Sequence, residues 1–404
     1  MLRAIKKLLL LVMNGIKKFI AMKLVSKNAP VHKRYVQKHY LGLSRLRQDN
    51  VTFRNTVAVE HPQLVIYGQN VEVSGGGQWD ARCGIVIGEG SSIGNNVTMK
   101  TRTNRKTHIQ YGPITIAPET IVPSNTVINP SAEVGKFNLD HLSKKYNQGE
   151  GLFFVVSTGR SGSKAIAHLL NQHSQVKAYH DSLAHLNVYA CDKMYGRRKP
   201  LEIENSLQKI FVSLSLSDQH IHGFSDQKVS LLIPEIYSIF PKAKFVWLIR
   251  KGDSFVNAAY SRGWYFNREF DYPPNQNEFF HSDVRPSTMD AAHRMNAFKI
   301  GLLSENRWKE MTAFERNCWY WKWLNSTIEQ ELNKITRDQW IRVDLHNLNE
   351  EVEKVLSFLE VDVKPLKAKK VNAAVYKKVS KSSWNEQMKN IFEVHCGEAM
   401  KQWF

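Results

Sequence analysis

A repeat of six residues sets the narrowest limit on the architecture. Ile87, Ile93 and Met99 lie six apart, and Gly88 and Gly94 follow the first two. Beyond a break, KTRTNRKTHIQYGP, the same interval returns at Ile116, Val122, Ile128 and Val134. A helix places like residues every three to four positions and a strand every two, so neither explains this spacing. A solenoid with triangular coils does, with one aliphatic side chain per side turned inward. Stacked coils also need an end cap or packing in a trimer, which favours an oligomer, with a homotrimer through the coils as one form.

Over residues 51–135 the pattern resembles the left-handed β-helix of the hexapeptide-repeat acyltransferases, with about four or five coils of which the first are weakly marked. That family often extrudes a loop carrying a catalytic histidine, and the break supplies His108. The resemblance implies that His108 is a general base for acyl transfer, because imidazole titrates near neutral pH. The later coils read APE, VPSN and NPSA where the family often has glycine-rich turns. A scaffold or oligomerisation role is therefore the competing expectation, since a fold alone does not specify function.

Charge is distributed unevenly. Residues 1–50 hold twelve Lys/Arg against the single acid Asp49, so +11 of the net +19 lies in this arm. Within residues 1–27, Leu2, Ile5, Leu9, Val12, Ile16 and Phe19 share one helical face, with Lys6, Lys7, Lys17, Lys18 and Lys23 interleaved. The pattern suits a helix lying in an anionic membrane interface. Its longest apolar run, Leu8–Met13, is far short of the roughly 20 residues a spanning helix needs. Lys17 and Lys18 follow where an export signal would place a small-residue cleavage site. A solvated or partner-binding basic helix is the alternative. Cys83, Cys191, Cys318 and Cys396 are far apart without CxxC spacing, which fits core thiols in a reducing compartment. A cytoplasmic protein peripheral to the inner face of the membrane is expected, with no nucleic-acid partner.

Residues 136–151, KFNLDHLSKKYNQGEG, lose the period and read as a polar linker. From residue 152 to 404, β-like runs alternate with helical ones, which predicts an α/β domain with a parallel sheet covered on both sides. It opens with FFVVSTGRSGSKAIAHLLNQHS, a strand, a glycine- and hydroxyl-rich turn and a helix. Such a junction aims backbone N–H groups and the positive end of a helix at one place, an anion site. A Walker loop requires GxxxxGK followed by Ser or Thr, which STGRSGSKA does not match, so the loop argues against an NTPase or kinase.

Arg160-Ser161-Gly162-Ser163, followed by Leu169-Leu170 and His173, resembles the 5′-phosphosulfate loop of the sulfotransferases. About ninety residues on, FPKAKFVWLIRKGDSFVNAAYSRGWY resembles that family's 3′-phosphate strand and turn, and Arg250 matches its arginine. The family's serine eight residues later is Ala258 here, so a hydroxyl would have to come from Ser254 or Ser261. HGFSDQKVSLLIPEIYSIFPKAKF and WYWKWLNSTIEQELNKITRDQWIRVDLHNL extend the likeness. It implies a P-loop-like fold and transfer of a sulfuryl group from 3′-phosphoadenosine 5′-phosphosulfate to a hydroxyl or amine, without a metal. By this likeness Arg160 neutralises the leaving group, Ser161, Gly162, Ser163 and Lys164 cradle the 5′-phosphate, and Arg250 clamps the 3′-phosphate. QVKAYHDS offers Asp181 or His180 as the general base. Asp181 serving only as a helix cap is the bland alternative.

The acceptor implied is a glycan or glycolipid. A bifunctional sulfuryl and acyl transferase, or a binding protein with a decayed transferase site, are the rival readings. Trp319, Trp321 and Trp323 read as packing against the sheet. Lys377, Lys378 and Lys381 read equally as nucleotide contacts or solvated charge, and Arg262-Gly263-Trp264-Tyr265 equally as ligand contact or packing.

Overall fold

The computed structural model describes residues 50–104, 109–216, 220–226, 228–265, 294–367 and 380–404. Residues 1–49 of the basic arm, His108, Lys377 and Lys378 lie outside them. The chain divides into two compact units. The described residues up to Asn104, with Tyr111–Phe137 and Val212–Ser215, form the first, and the second contains most of the remainder.

In the first unit the chain visits three parallel sheets in rotation. Thr52–Phe53, Glu72–Gly75, Ser92–Asn95 and Ile121–Val122 build one. Ala58–Glu60, Gln78–Asp80, Thr98–Lys100 and Val127–Ile128 build the second. Val65–Tyr67, Ile85–Ile87, Ile114–Ile116 and Glu133–Val134 build the third. The residues six apart stack on their counterparts in the next coil, Ile116 on Ile87, Val122 on Ile93 and Ile128 on Met99. All six are buried in one apolar column, each such side chain contributing about 1.5–3 kcal/mol relative to exposure.

Glycine is required where coils touch. A Cβ on Gly88 would lie 2.4 Å from the Pro118 backbone nitrogen of the adjacent coil. Gly88→Ala is therefore expected to destabilise this unit by about 1–3 kcal/mol, seen as a lowered midpoint of its thermal transition; an unchanged midpoint would show that the coils separate freely there.

The second unit is built on five parallel strands. They are β1 (Leu152–Val156), β2 (Val176–His180), β3 (Ile221–Ser225), β4 (Lys244–Ile249) and β5 (Trp340–Asp344), in the spatial order β2-β3-β1-β4-β5. Alternate residues face opposite sides of a strand, and both faces are apolar here. On one face Phe153, Val155, Val246 and Leu248 pack with α1 (Ser163–Leu170) and α4 (Leu348–Phe358). The other face carries Phe154, stacked between Phe224 and Phe245. Trp247, also on that face, meets α3 (Ala313–Leu332) through Asn325 and α5 (Glu386–Trp403) through Trp403. α2 (Gly252–Tyr260) follows β4 directly. The stretch expected as a linker carries a helix, Asp140–Tyr146, whose Tyr146 is buried against Phe211 and Phe240.

From β1 the chain first builds β2 and β3 on one side and then returns to build β4 and β5 on the other. Ligands of open α/β sheets bind outside the carboxyl ends of the strands flanking such a reversal, here β1 and β4. None of the described helices is long and apolar enough to cross a membrane.

All four cysteines are buried free thiols. Burial pushes the Cys83 and Cys191 thiols up to about 12. Since the thiolate is the nucleophile, neither is expected to react with iodoacetamide at pH 8 before denaturation. Intact-mass analysis reads the result, and fast alkylation of either in the folded protein would contradict the packing.

Candidate anion-binding site

β1 ends in a turn whose backbone is forced into an unusual form. Gly159, Arg160 and Gly162 have φ of 71°, 50° and 87°. A left-handed conformation is costly for a residue with a Cβ and clusters at functional sites. A Cβ on Gly162 would also lie 2.2 Å from Leu345 Cδ1, so glycine is needed there twice over. Gly162 is the N-cap of α1 and supplies no side-chain cap. The first N–H groups of a helix have no carbonyl within it to bond. This helix thus presents its positive end at the turn.

The hydroxyls of the turn are largely committed to its own shape. Ser161 Oγ lies 2.6 Å from Thr158 Oγ1 and donates to the Gly159 carbonyl, 3.0 Å, with Ser161 almost wholly buried. Ser163 Oγ shares a 3.0 Å hydrogen bond with His180 Nε2. Ligand contacts from Ser161 and Gly162 would therefore come from backbone N–H groups rather than from side chains.

Ser230 braces the turn from below, donating through Oγ to the Ser157 carbonyl and accepting from the Ser157 N–H, both at 2.8 Å. Ser225 Oγ donates to the Ser163 carbonyl, 3.1 Å. Lys228, 2% exposed, places its ammonium 3.0 Å from the Tyr320 hydroxyl and over that ring. These residues belong to the FSDQKVS stretch at the end of β3. Their role was missed from sequence, although a polar run directly after a buried strand is the signal that could have pointed to it.

The two predicted cationic elements meet. Arg250 follows β4, and its Nη1 donates to the Arg160 carbonyl at 2.7 Å. The Arg250 carbonyl accepts from Trp321 Nε1, 2.9 Å, and the Trp321 ring lies 3.0 Å from where a Gly252 Cβ would be. Trp321 thus packs inward as expected and also fixes the chain beside Arg250. Trp319 and Trp323 stack on each other at 5.2 Å and are only partly buried.

Ser254 and Ser261, the two candidates for the hydroxyl absent at Ala258, stand at opposite ends of α2. Ser254 stands in its first turn, on the Arg250 side, and Ser261 caps its far end, about 10 Å away at 1.5 Å per residue. Ser254 Oγ lies 3.3 Å from His346 Nε2, and His346 Nδ1 lies 3.0 Å from Asp344 Oδ1. Ser254 is therefore the hydroxyl the fold places at this end, oriented by His346. Lys381 pairs with Asp253 in the same turn, 3.7 Å. Trp264 and Tyr265 are buried, and the Tyr265 hydroxyl donates to the Met295 carbonyl, so these two members of the Arg262 to Tyr265 run serve packing.

The two candidate bases stand at the end of β2. His180 Nδ1 lies 3.2 Å from Asp181 Oδ2, so the imidazole bridges Ser163 and Asp181. Asp181 has φ 48° and caps no helix; the helix after it, Ala184–Met194, has Leu183 as its N-cap. The Asp181 side chain is 44% exposed against 13% for His180, so the carboxylate is the more open to an incoming group. Lys164 is partly buried in the first turn of α1. Among the described residues, no cluster of three His, Cys, Asp or Glu side chains has the arrangement of a metal site.

No family model and no curated protein matches the chain. Among solved structures it is similar to a sulfotransferase from Alicyclobacillus acidocaldarius, with 12% identity over 62% of this chain and 98% of that one and a TM-score of 0.35. It is similar also to sulfotransferase STF1 from Mycobacterium tuberculosis H37Rv, at 10% identity over 65% and 80% and a TM-score of 0.31. A third is the sulfotransferase domain of the Synechococcus PCC 7002 olefin synthase, at 12% identity over 53% and 74% and a TM-score of 0.30. Superpositions this loose leave the chemistry to be read from the site itself.

Proposed function

We propose that the second unit transfers a sulfuryl group from 3′-phosphoadenosine 5′-phosphosulfate to a hydroxyl of a glycan or glycolipid. The observation that carries this reading is the hydrogen bond from Arg250 to the Arg160 carbonyl. It joins two cationic elements, distant in sequence, at the carboxyl ends of β1 and β4. A donor with phosphate at both its 3′ and 5′ positions requires two such elements side by side.

In this reading the first-turn N–H groups of α1 take the 5′-phosphate, with Lys164 beside them. Arg250 takes the 3′-phosphate with its planar fork, and Ser254, turned by His346, supplies the hydroxyl that Ala258 lacks. The acceptor oxygen attacks sulfur in line as the bond from sulfur to the bridging phosphate oxygen breaks. Asp181 receives the acceptor proton, and His180, held by Ser163, orients that carboxylate. The products are a sulfate ester and 3′-phosphoadenosine 5′-phosphate. By analogy with phosphoryl transfer the transition state is loose, so positioning and charge neutralisation by Arg160 supply most of the catalysis. The contacts that link Ser163, His180 and Asp181 beside the Arg160 turn favour an active transferase over a decayed one.

The three-sheet unit is proposed to be a left-handed coil that organises a homotrimer, and residues 1–27 to hold the protein against an anionic cytoplasmic membrane face. Incubation with donor labelled in its sulfuryl group and a panel of polysaccharides tests the function. Label transferred by the wild type and lost in Arg160→Ala supports it; no transfer to any acceptor, and no donor turnover, by folded protein contradicts it.

A further inference from the structure

Along the outer side of β5, the edge strand, runs a cleft of about 600 Å³. That volume lies within the range of ordinary ligand sites, about 300–1,000 Å³. Its walls include Lys251, Arg337, Arg342, Trp340 and Phe404. The carboxylates present are turned to internal partners. Glu329 accepts from Trp403 and Gln402, Asp344 from His346, and Glu351 from the Asp344 N–H and Lys354.

Of the cations, Lys354 pairs with Glu351 and Arg337 donates to the Trp340 carbonyl, whereas Arg342 and Lys251 are not matched in this way. Arg342 lies over the Trp247 ring at 5.9 Å and Lys251 over the Phe404 ring at 5.9 Å, and neither makes an ion pair with a described residue. Trp340 is 8% exposed, and its Nε1–H has no acceptor among the described residues. A buried donor of this kind normally finds a partner. Arg337 stacks on the Trp340 ring at 4.1 Å and covers it, so Phe404, 41% exposed, is the aromatic surface that the cleft offers beside the exposed Arg342 and Lys251.

We infer that this cleft binds an acidic oligosaccharide, whose carboxylate or sulfate groups engage Arg342 and Lys251 while a sugar ring lies against Phe404. The lining runs along β5 from Trp340 to Asp344, and a strand of five residues spans about 17 Å at 3.3 Å each, room for an extended occupant. One end of the cleft is Lys251 and Asp344. Lys251 adjoins Arg250 in sequence, and Asp344 leads through His346 to Ser254. A chain lying there would run toward the proposed transfer site. The assignment of this chain as the acceptor, an acidic polysaccharide, rests on the sulfotransferase reading; the binding itself does not.

The test is calorimetric titration of the full chain at 150 mM salt with a chondroitin sulfate hexasaccharide and with neutral maltohexaose. The wild type is expected to bind the first and not the second, and Arg342→Gln to weaken binding at least tenfold. Lys309→Gln, an equal loss of charge on the helix Glu305–Glu310 and outside the cleft lining, is expected to change affinity less than twofold, which separates the cleft from general attraction to a basic protein. Both variants are also titrated with 3′-phosphoadenosine 5′-phosphate, where no change is expected. Absence of oligosaccharide binding, an equal effect of the two variants, or equal competition by inorganic phosphate overturns the saccharide site. Oligosaccharide binding that depends on Arg342, in a protein that ignores the nucleotide, retains the site and removes the sulfotransferase reading.

Discussion

Arg250→Ala is expected to weaken binding of 3′-phosphoadenosine 5′-phosphate by roughly 100-fold, about 2.8 kcal/mol. Hydrogen bonds to a charged group contribute about 1.5–3 kcal/mol each, and this side chain has two tasks. In the proposed function it takes the 3′-phosphate, and it donates to the Arg160 carbonyl, holding the neighbouring turn. Arg250→Lys keeps the charge but not the planar fork, and should recover only part of the affinity. Titration calorimetry beside thermal unfolding distinguishes a lost ligand contact from a lost fold. Unaltered affinity in Arg250→Ala would detach β4 from nucleotide recognition.

Asp181→Asn is expected to lower kcat by about 10²–10⁴, the range for removal of a general base, and to leave nucleotide affinity within about twofold. His180→Ala should lower kcat less, because in this account the imidazole positions the carboxylate and does not touch the acceptor. Steady-state rates at saturating donor read both. A larger loss in His180→Ala than in Asp181→Asn would reverse the assignment. The geometry behind the expectation is the 3.2 Å contact between His180 Nδ1 and Asp181 Oδ2, with the opposite ring nitrogen held by Ser163.

The period of six was legible from Ile87 onward because each step carries an aliphatic residue and leads to the next sheet. The earlier coils were obscured for two physical reasons. Aromatic residues replace aliphatic ones at Phe53, Tyr67 and Trp79, which stack in register with Val73, Ile87 and Met99 respectively. The coil corners before Tyr67 and Ile87 are also longer, so the interval from Val59 or Trp79 to the next inward residue is eight.

In the second unit, the strand, turn and helix around Arg160 could be read because apolar periodicity and glycine placement are local signals. The Arg250 match lay in a buried strand ending at a charge. What brings them together is strand order, β1 beside β4, which no local pattern encodes. The same holds for Ser230 beneath Ser157, Trp321 on the Arg250 carbonyl and His346 on Ser254, contacts that span 73, 71 and 92 residues. The cleft beside β5 was invisible for a further reason. Its character depends on which charges lack partners, and that emerges only after the fold has paired the others.

The most direct test of the central claim is calorimetric titration of the wild-type chain with 3′-phosphoadenosine 5′-phosphate, with adenosine 5′-phosphate run in parallel. The account predicts saturable binding of one nucleotide per chain, with loss of the 3′-phosphate weakening affinity by at least about tenfold, a single charge-assisted contact. Equal affinity for the two nucleotides, or no heat of binding from folded protein, would contradict it.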